Sequence, residues 1–208
     1  MIRNIVFDMG NVMIYFRKCD FLDTAGFAGE DRKLLERVVF DSLEWARLDR
    51  GSLHEDEAEK IMCARLPERL HGAVHDFVYH WDRPLRPVHG MAPLVRELKA
   101  KGYGIYLLSN AASRQHDYWP DIPGSECFDG TLISADELLT KPEHEIFELF
   151  CERFALKPDE CVFIDDSTMN AEGAFRCGMH PIVFHDDIRE LRLRLREEGV
   201  DVAVTALA

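Results

Sequence analysis

Short, continuous runs of apolar residues recur along the chain and alternate with amphipathic segments. Four of these runs predict strands buried on both faces: NIVF at 4–7, GIYLL at 104–108, CVFI at 161–164 and PIVF at 181–184. A weaker strand is predicted within 128–134. Strands with this continuous apolar pattern are typical of a parallel sheet that is covered by helices on both sides.

Helical patterns fill the intervals between these strands. One helix is predicted over 91–102, where apolar residues share a face and Gly102 marks the end. Segment 142–156 begins at a proline and carries an apolar stripe, and segments 169–179 and 186–199 complete the alternation. This order of elements predicts an α/β fold with a doubly wound parallel sheet, because strand–helix–strand units form right-handed crossovers.

About 70 residues, from 16 to 87, interrupt the alternation after the first strand. Connections within α/β units normally need about 2–6 residues. Three helical patterns occupy the interval, at 30–43, 52–66 and 67–81. Ser52 and Glu55 form a candidate capping box at the start of the second. We therefore expect a Rossmann-like core made of residues 1–15 and 88–208, with residues 16–87 inserted as an α-helical cap.

Polar residues follow three of the predicted strands at the point where each strand ends. Asp8 follows the first strand, Ser109 and Asn110 the second, and Asp165 and Asp166 the third. A single aspartate at a strand exit is more often a turn residue than a catalytic one. Since the carboxyl ends of parallel strands share one edge, where ligands bind, the three sets together indicate a functional site in one cleft.

A divalent cation is expected among these acids. Two or three carboxylates at one edge repel each other unless positive charge lies between them. A ligand set made of oxygen atoms suits Mg²⁺, which keeps several waters and shares its coordination shell with phosphate. Lys141, directly before Pro142 at the start of a helix, would add a fixed positive charge, although a lysine is more often a solvated surface residue.

The overall charge narrows the choice of partners. The chain has 208 residues, with 25 Lys and Arg against 38 Asp and Glu, and its formal net charge is -13. Such a surface repels nucleic acid and anionic membranes, so we expect a small ligand, and a monomer is the default.

Six scattered cysteines without a C-x-x-C pair indicate reduced thiols, and with no visible signal peptide they favour a cytoplasmic protein.

Four motifs, FDMGNV, LLSN, KPEHEIF and FIDDSTMNAEGA, occur in this order along the chain. With them the chain resembles, over essentially its whole length, the haloacid dehalogenase-like hydrolases, in the phosphatase branch with a helical cap. The stretch LSNAASRQHDYWP is also similar to bacterial α-glucose-1-phosphate phosphatases. The resemblance implies a Mg²⁺-dependent phosphomonoester hydrolase that acts on a small phosphorylated metabolite, with a sugar phosphate such as a hexose 1-phosphate favoured.

The resemblance also implies the residues that bind the metal and attack the phosphate. Asp8 would be the nucleophile that forms an aspartyl-phosphate. The second oxygen of Asp8, the Gly10 carbonyl and Asp166 would hold Mg²⁺, with Asp165 nearby.

A second set of residues would bind the substrate. Ser109 and Lys141 would stabilise the phosphoryl oxygens as their charge shifts during transfer, and both count as catalytic. Asn110 would support that cradle. The other candidates for contact with the substrate are Asn11 and His116.

Gly10 departs from the family pattern, because most of these phosphatases carry a second aspartate there as general acid and base. Three explanations are open. In the first, another residue replaces this acid, with His116 as a candidate. In the second, which we favour, the leaving group needs little protonation, as for the acidic anomeric oxygen of a sugar 1-phosphate. In the third, the protein is a weak catalyst or a binding protein only. Acid–base groups contribute about 10²–10⁴-fold, so activity can survive this loss.

Other functions fit the sequence less well. A phosphomutase relies on the acid–base residue that is absent at Gly10, and a dehalogenase has no need of a metal–phosphate site. A phospho-accepting signalling module uses a similar set of residues, but its acid pair comes early in the chain and it has no helical cap.

Three residues of the insertion have two alternative interpretations. They either line the substrate face of the cap or form a packing cluster, and they are Trp45, Arg47 and Asp49.

Overall fold

The computed structural model describes residues 1–204 and contains a five-stranded parallel sheet. Its strands are β1 (Asn4–Phe7), β2 (Gly104–Ser109), β3 (Gly130–Ile133), β4 (Cys161–Asp165) and β5 (His180–Val183). The spatial order is β3-β2-β1-β4-β5, which places the first strand at the centre. The predicted fold class is confirmed, and the weak strand signal in 128–134 corresponds to β3.

The register of the sheet brings the predicted site residues to one level. Phe7 in β1 lies opposite Leu107 in β2 and Ile164 in β4. The backbone N–H of Asp8 donates to the Ile164 carbonyl at 2.8 Å, so the pairing continues one residue beyond β1. Asp8 therefore leaves the sheet level with Asp165 and next to the end of β2.

The segment that follows β1 is helical. Its α-helices are α1 (Lys18–Thr24), α2 (Gly29–Leu35), α3 (Leu43–Arg50), α4 (Glu55–Cys63) and α5 (His71–Tyr79). A π-helical turn at Glu36–Phe40 continues α2, and a 3-10 turn at Glu68–Leu70 precedes α5. The buried apolar residues of these helices form a cluster separate from the two clusters on the sheet. The domain boundaries at 16 and 87 stay a prediction.

The capping box predicted at Ser52 is wrong. Helix α4 begins at Glu55 with His54 as its N-cap residue. Ser52 belongs instead to the end of α3, where its backbone N–H donates to the Arg47 carbonyl at 2.9 Å. Gly51, at φ 77°, makes this helix end possible because its left-handed conformation disfavours residues with a side chain.

The rest of the chain supplies the helices that cover the sheet. They are α6 (Met91–Ala100), α7 (Gln115–Tyr118), α8 (Ser134–Glu137), α9 (His144–Arg153), α10 (Thr168–Arg176) and α11 (Ile188–Glu197). Short 3-10 turns lie at Trp119–Asp121, Ser125–Cys127 and Pro158–Glu160. Helices α6 and α11 pack on one face of the sheet, and α9 and α10 pack on the other. None of the helices in residues 1–204 is both long enough and apolar enough to cross a bilayer.

The helical segment meets the core at the C-terminal end of α3. The Ser134 hydroxyl donates to the Asp49 carbonyl, and the Arg50 guanidinium donates to the Leu138 carbonyl at 3.0 Å. A Cβ atom on Gly51 would lie 2.1 Å from the Ala135 carbonyl oxygen, which is shorter than any van der Waals contact. The absence of a side chain at residue 51 therefore sets how closely α3 approaches α8.

We expect Gly51→Ala to lower the free energy of unfolding by about 2–4 kcal/mol, because it combines left-handed strain with a clash against backbone. Gly26→Ala is the matched control, since Gly26 has φ 75° but open space around the position of a Cβ atom. This control should lose only the conformational part, about 1–2 kcal/mol. Urea unfolding of both variants measures the difference, and equal losses would contradict the close approach of α3 to α8.

Candidate active site

One buried ammonium group joins three strand ends. Lys141 Nζ donates to Asp8 Oδ1 at 2.7 Å, to Asp165 Oδ2 at 2.7 Å and to the Leu108 carbonyl at 2.8 Å. Asp8 directly follows β1, Asp165 is the last residue of β4, and Leu108 is the last but one residue of β2. Lys141 itself is only 3% exposed. The structure thus brings together three of the residues that the sequence placed at one sheet edge.

Burial and the attraction between opposite charges shift the pKa values of Asp8 and Lys141 in opposite directions. Burial raises the pKa of Asp8 to about 7, with Asp165 adding to the increase and Lys141 opposing it. For Lys141, burial lowers the pKa, but the negative charges of Asp165 and Asp8 outweigh burial and hold the pKa above its ordinary value. The ammonium therefore stays charged and partly balances the two carboxylates.

A third carboxylate lies beside this pair. One oxygen each of Asp8, Asp165 and Asp166 lies within 4.8 Å of the others. Asn11 Nδ2 donates to Asp166 Oδ2 at 2.9 Å, while Asn11 Oδ1 accepts from the backbone N–H of Phe16 at 3.0 Å. Asn11 therefore orients Asp166 and fixes the loop after β1, which also contains Gly10.

The donor set fits a divalent cation. When ionised, the three clustered carboxylates carry three negative charges, and Lys141 supplies one positive charge. Two negative charges remain, and every side-chain donor in the cluster is an oxygen atom, which is the preference of Mg²⁺. Asp165 is also held by the backbone N–H of Ser167 at 2.8 Å and by Asn170 Nδ2 at 3.1 Å.

Ser109 and Asn110 differ in their contacts. Ser109 is fully buried, and its hydroxyl has no hydrogen-bond partner among residues 1–204. Asn110 makes a reciprocal pair with the backbone of Lys141, donating to its carbonyl at 2.9 Å and accepting from its N–H at 2.8 Å. Ser109 is therefore free to bind a ligand, whereas the main contacts of Asn110 position Lys141.

His116 does not join the other predicted site residues. Its Nε2 atom lies 2.8 Å from Asp136 Oδ2, and its side chain is 57% exposed. It lies on α7 but does not line the cavity that borders the site. The prediction that His116 contacts the substrate or replaces the missing acid therefore has no support in this arrangement.

A cavity of about 140 Å³ borders the acid cluster. Met9 and Asn110 line it and directly follow Asp8 and Ser109 in the chain. Its wall is otherwise mostly apolar and aromatic, and the lining residues are Met9, Phe16, Trp45, Leu48, Asp49, Glu55, Val78, Trp81, Asn110, Ala111, Ala112, Arg114, Gln115 and Tyr118. Of the residues proposed for the substrate face, Trp45 and Asp49 line the cavity and Arg47 does not.

Gln115, which no sequence pattern indicates, lies in the wall of this cavity. Gln115 is fully buried, and neither its Nε2 nor its Oε1 atom has a hydrogen-bond partner within residues 1–204. An unpaired buried amide costs about 1–3 kcal/mol unless a ligand or water completes it. A polar residue on a four-residue helix produces no periodic signal, so only the structure identifies it.

Asp49 also lines the cavity. No hydrogen bond or ion pair from the described part of the chain reaches its carboxylate oxygens, although its backbone carbonyl accepts from Ser134. Burial raises the pKa of Asp49 to about 8, and the negative charge of Asp8 contributes. The carboxyl group of Asp49 therefore lies close enough to Asp8 for the two charges to interact.

The parallel α/β fold with an acid–lysine cluster at the strand ends defines the class of protein. The model of the haloacid dehalogenase-like hydrolase family matches residues 2–178. The chain belongs to this family.

Two of the similar proteins with curated names are phosphatases. The chain is 26% identical over 182 residues to the sesquiterpene phosphatase astK of Aspergillus oryzae, which covers 84% of this chain and 85% of the relative. It is 25% identical over 232 residues to the glyceraldehyde 3-phosphate phosphatase of Methanothermobacter thermautotrophicus. This match covers 98% of this chain and 95% of the relative.

A solved structure shows the same fold. A HAD family enzyme from Bacteroides thetaiotaomicron, in complex with magnesium and inorganic phosphate, has a TM-score of 0.68 and 22% sequence identity. The match covers 92% of this chain and 99% of that chain. At this level of identity the likeness concerns the fold.

Replacing Lys141 tests the charge balance of the cluster. We expect Lys141→Met, without added Mg²⁺, to lower the free energy of unfolding by about 3–5 kcal/mol, because it leaves buried carboxylates without their cation. Lys18→Met is the matched control: Lys18 also pairs with two carboxylates, Glu36 at 3.0 Å and Asp41 at 2.9 Å, but is 40% exposed. This control should lose less than about 1 kcal/mol in the same urea titration. Similar losses would contradict a buried charge cluster.

Proposed function

We propose that the protein is a Mg²⁺-dependent phosphomonoester hydrolase that acts through an aspartyl-phosphate on Asp8. The observation that carries this proposal is the buried contact of Lys141 with Asp8 and Asp165, beside the unpaired hydroxyl of Ser109. Membership of a hydrolase family and the phosphatase names of two relatives support it.

The metal site would be formed by Asp8, the Gly10 carbonyl and Asp166, with Asp165 alongside. When bound there, Mg²⁺ supplies positive charge that polarises the phosphoryl group and balances the excess carboxylate charge. Asn11 would keep Asp166 in place through the bond between their side chains.

The residues of the chain would then divide the reaction between them. A carboxylate oxygen of Asp8 forms a bond to phosphorus while the bond from phosphorus to the leaving oxygen breaks. The Ser109 hydroxyl and the Lys141 ammonium donate to phosphoryl oxygens as charge shifts onto them. Water then attacks the phosphorus of the aspartyl-phosphate, which releases inorganic phosphate and regenerates Asp8.

The substrate that we favour is a small hydroxylated ester, a sugar phosphate such as a hexose 1-phosphate. The support comes from Gln115, whose buried amide offers a donor and an acceptor to hydroxyl groups in the cavity next to Asp8. Three aromatic residues of the wall, Trp45, Trp81 and Tyr118, could pack against the carbon faces of a ring. The sequence around Gln115 is also the stretch that is similar to α-glucose-1-phosphate phosphatases.

Removal of the nucleophile tests the proposed reaction. We expect Asp8→Asn to lower phosphate release from p-nitrophenyl phosphate and from glucose 1-phosphate by more than about 10³-fold, because the amide cannot form the covalent intermediate. EDTA should abolish the activity of the unmodified protein, and Mg²⁺ should restore it.

The control is Asp56→Asn, which changes an exposed aspartate on α4 and should behave like the unmodified protein. Circular dichroism checks that each variant is folded. Release that persists in Asp8→Asn, or in excess EDTA, contradicts the proposed reaction. Binding of phosphate without turnover in the unmodified protein indicates a binding protein instead.

Gln115→Leu separates substrate recognition from stability. The leucine is similar in size and removes an unpaired buried amide, so the unfolding midpoint should stay the same or rise. At the same time, kcat/KM for glucose 1-phosphate should fall about 5- to 150-fold, equivalent to about 1–3 kcal/mol of lost hydrogen bonding. Activity on p-nitrophenyl phosphate, which has no hydroxyls, should change much less.

Two results would count against a hydroxylated substrate. One is an equal loss on both esters, which indicates general damage to the site. The other is higher activity of Gln115→Leu on a prenyl monophosphate together with unchanged activity on glucose 1-phosphate, which favours a terpenoid leaving group.

A further inference from the structure

The loop after β1 lacks the acidic side chain that most phosphatases of this family carry two residues after the nucleophile. Residue 10 is glycine, so the second residue after Asp8 carries no acid. A Cβ atom built on Gly10 meets only Phe16 Cβ, at 3.7 Å, which is an ordinary contact. Phe16 lines the cavity beside Asp8. Residue 10 therefore has room for a side chain beside Phe16, a residue of the cavity wall.

A carboxyl group from another element faces the same space. Asp49 lies at the end of α3 and lines the cavity together with Met9 and Phe16. Its carboxylate oxygens have no hydrogen-bond or ion-pair partner among residues 1–204, and the residue is partly exposed. These features together point to contact with a ligand.

The main chain of Asp49 is fixed to the core although α3 belongs to the helical insertion. The Ser134 hydroxyl, just after β3, donates to the Asp49 carbonyl and accepts from the backbone N–H of Ala111 at 2.9 Å. The next residue, Arg50, donates to the Leu138 carbonyl and to Thr140 Oγ1 at 3.3 Å. Asp49 is therefore held in a defined position relative to the strand ends.

We propose that Asp49 is the general acid and base of this site, in place of the acid that Gly10 lacks. The proposal rests on the proposed function of the site as a phosphatase. As the bond from Asp8 to phosphorus forms and the leaving-group bond breaks, the Asp49 carboxyl gives its proton to the leaving oxygen, which departs as a neutral alcohol. Asp49 is then a carboxylate.

The second half of the reaction restores the starting state. A water molecule attacks the phosphorus of the aspartyl-phosphate and gives a proton to the Asp49 carboxylate. The bond between phosphorus and Asp8 breaks, inorganic phosphate leaves, and Asp49 again carries its proton. A carboxyl group suits both steps, because it donates a proton when protonated and accepts one when ionised.

Other titratable groups of the cavity wall are less well placed. Glu55 is the other acid, at the first turn of α4, and Arg114 is engaged with the Val78 carbonyl at 3.4 Å and with Asp82 at 3.7 Å. Tyr118 lies in the wall as well, but its ordinary pKa of about 10 makes it a weaker acid. Of these groups, Asp49 is the carboxyl that has no partner within residues 1–204 and whose backbone is bonded to Ser134 beside the strand ends.

The test compares two esters of similar size whose leaving groups differ in acidity. p-Nitrophenol is a good leaving group that needs little protonation, whereas phenol, with a pKa near the value of about 10 for tyrosine, needs much more help. We expect Asp49→Asn, assayed with Mg²⁺, to lower kcat/KM for phenyl phosphate about 10²–10⁴-fold and that for p-nitrophenyl phosphate less than about 10-fold. The ratio of the two losses reports proton donation, which a purely structural role would not change.

Two further variants sharpen the result. Glu55→Gln removes the other cavity carboxylate and should change both esters by the same factor. Gly10→Asp in the Asp49→Asn background places a carboxyl at the position that the fold leaves open, and it should restore most of the activity on phenyl phosphate.

Equal losses on both esters in Asp49→Asn overturn the role of Asp49, as does a selective loss on phenyl phosphate in Glu55→Gln alone. These outcomes leave the proposed phosphatase activity intact. The activity itself fails if the unmodified protein releases no phosphate that depends on Asp8, and the role of Asp49 fails with it.

Discussion

The contact of Lys141 with two buried carboxylates is the interaction on which the site depends. Asp8 and Asp165 end neighbouring strands and would repel each other if both were charged without a cation between them. The position of the ammonium is further restricted, because it donates a third hydrogen bond to the Leu108 carbonyl of β2. The lysine therefore links the ends of three strands and leaves net negative charge for a divalent ion.

Support for this lysine comes from residues that do not face the ligand. Asn110 holds the backbone of Lys141 from both sides, and Asn170 holds Asp165. Such contacts restrict the side chains before a ligand arrives, so less ordering is needed on binding. Ser109 and Gln115 behave differently, since both have buried polar atoms that find no partner in residues 1–204. The site therefore combines a rigid set of charges with a few groups that only a ligand or water can satisfy.

Much of the fold follows from the sequence because parallel strands with two covered faces read as continuous apolar runs. The convergence of Asp8 and Asp165 followed from the rule that parallel strands end at one edge. Gln115 could not be predicted, because no local pattern shows which way a side chain on a one-turn helix points. His116 failed for the same reason, since its imidazole turns outward to Asp136. The Ser52 capping box failed because Gly51 first had to end the preceding helix.

The central position of β1 protects this strand from local opening at the edges of the sheet. Asn4–Phe7 is paired on both sides, while β3 and β5 each have one unpaired edge in the described part of the chain. Local opening of a protein begins where contacts are few, which in this sheet means the outer strands. Fraying at either margin leaves the ladder around Phe7 closed, so the carboxylate after it is among the last groups to lose its surroundings. Thermal opening of an outer strand therefore disturbs Asp8 less than opening of β1 itself would.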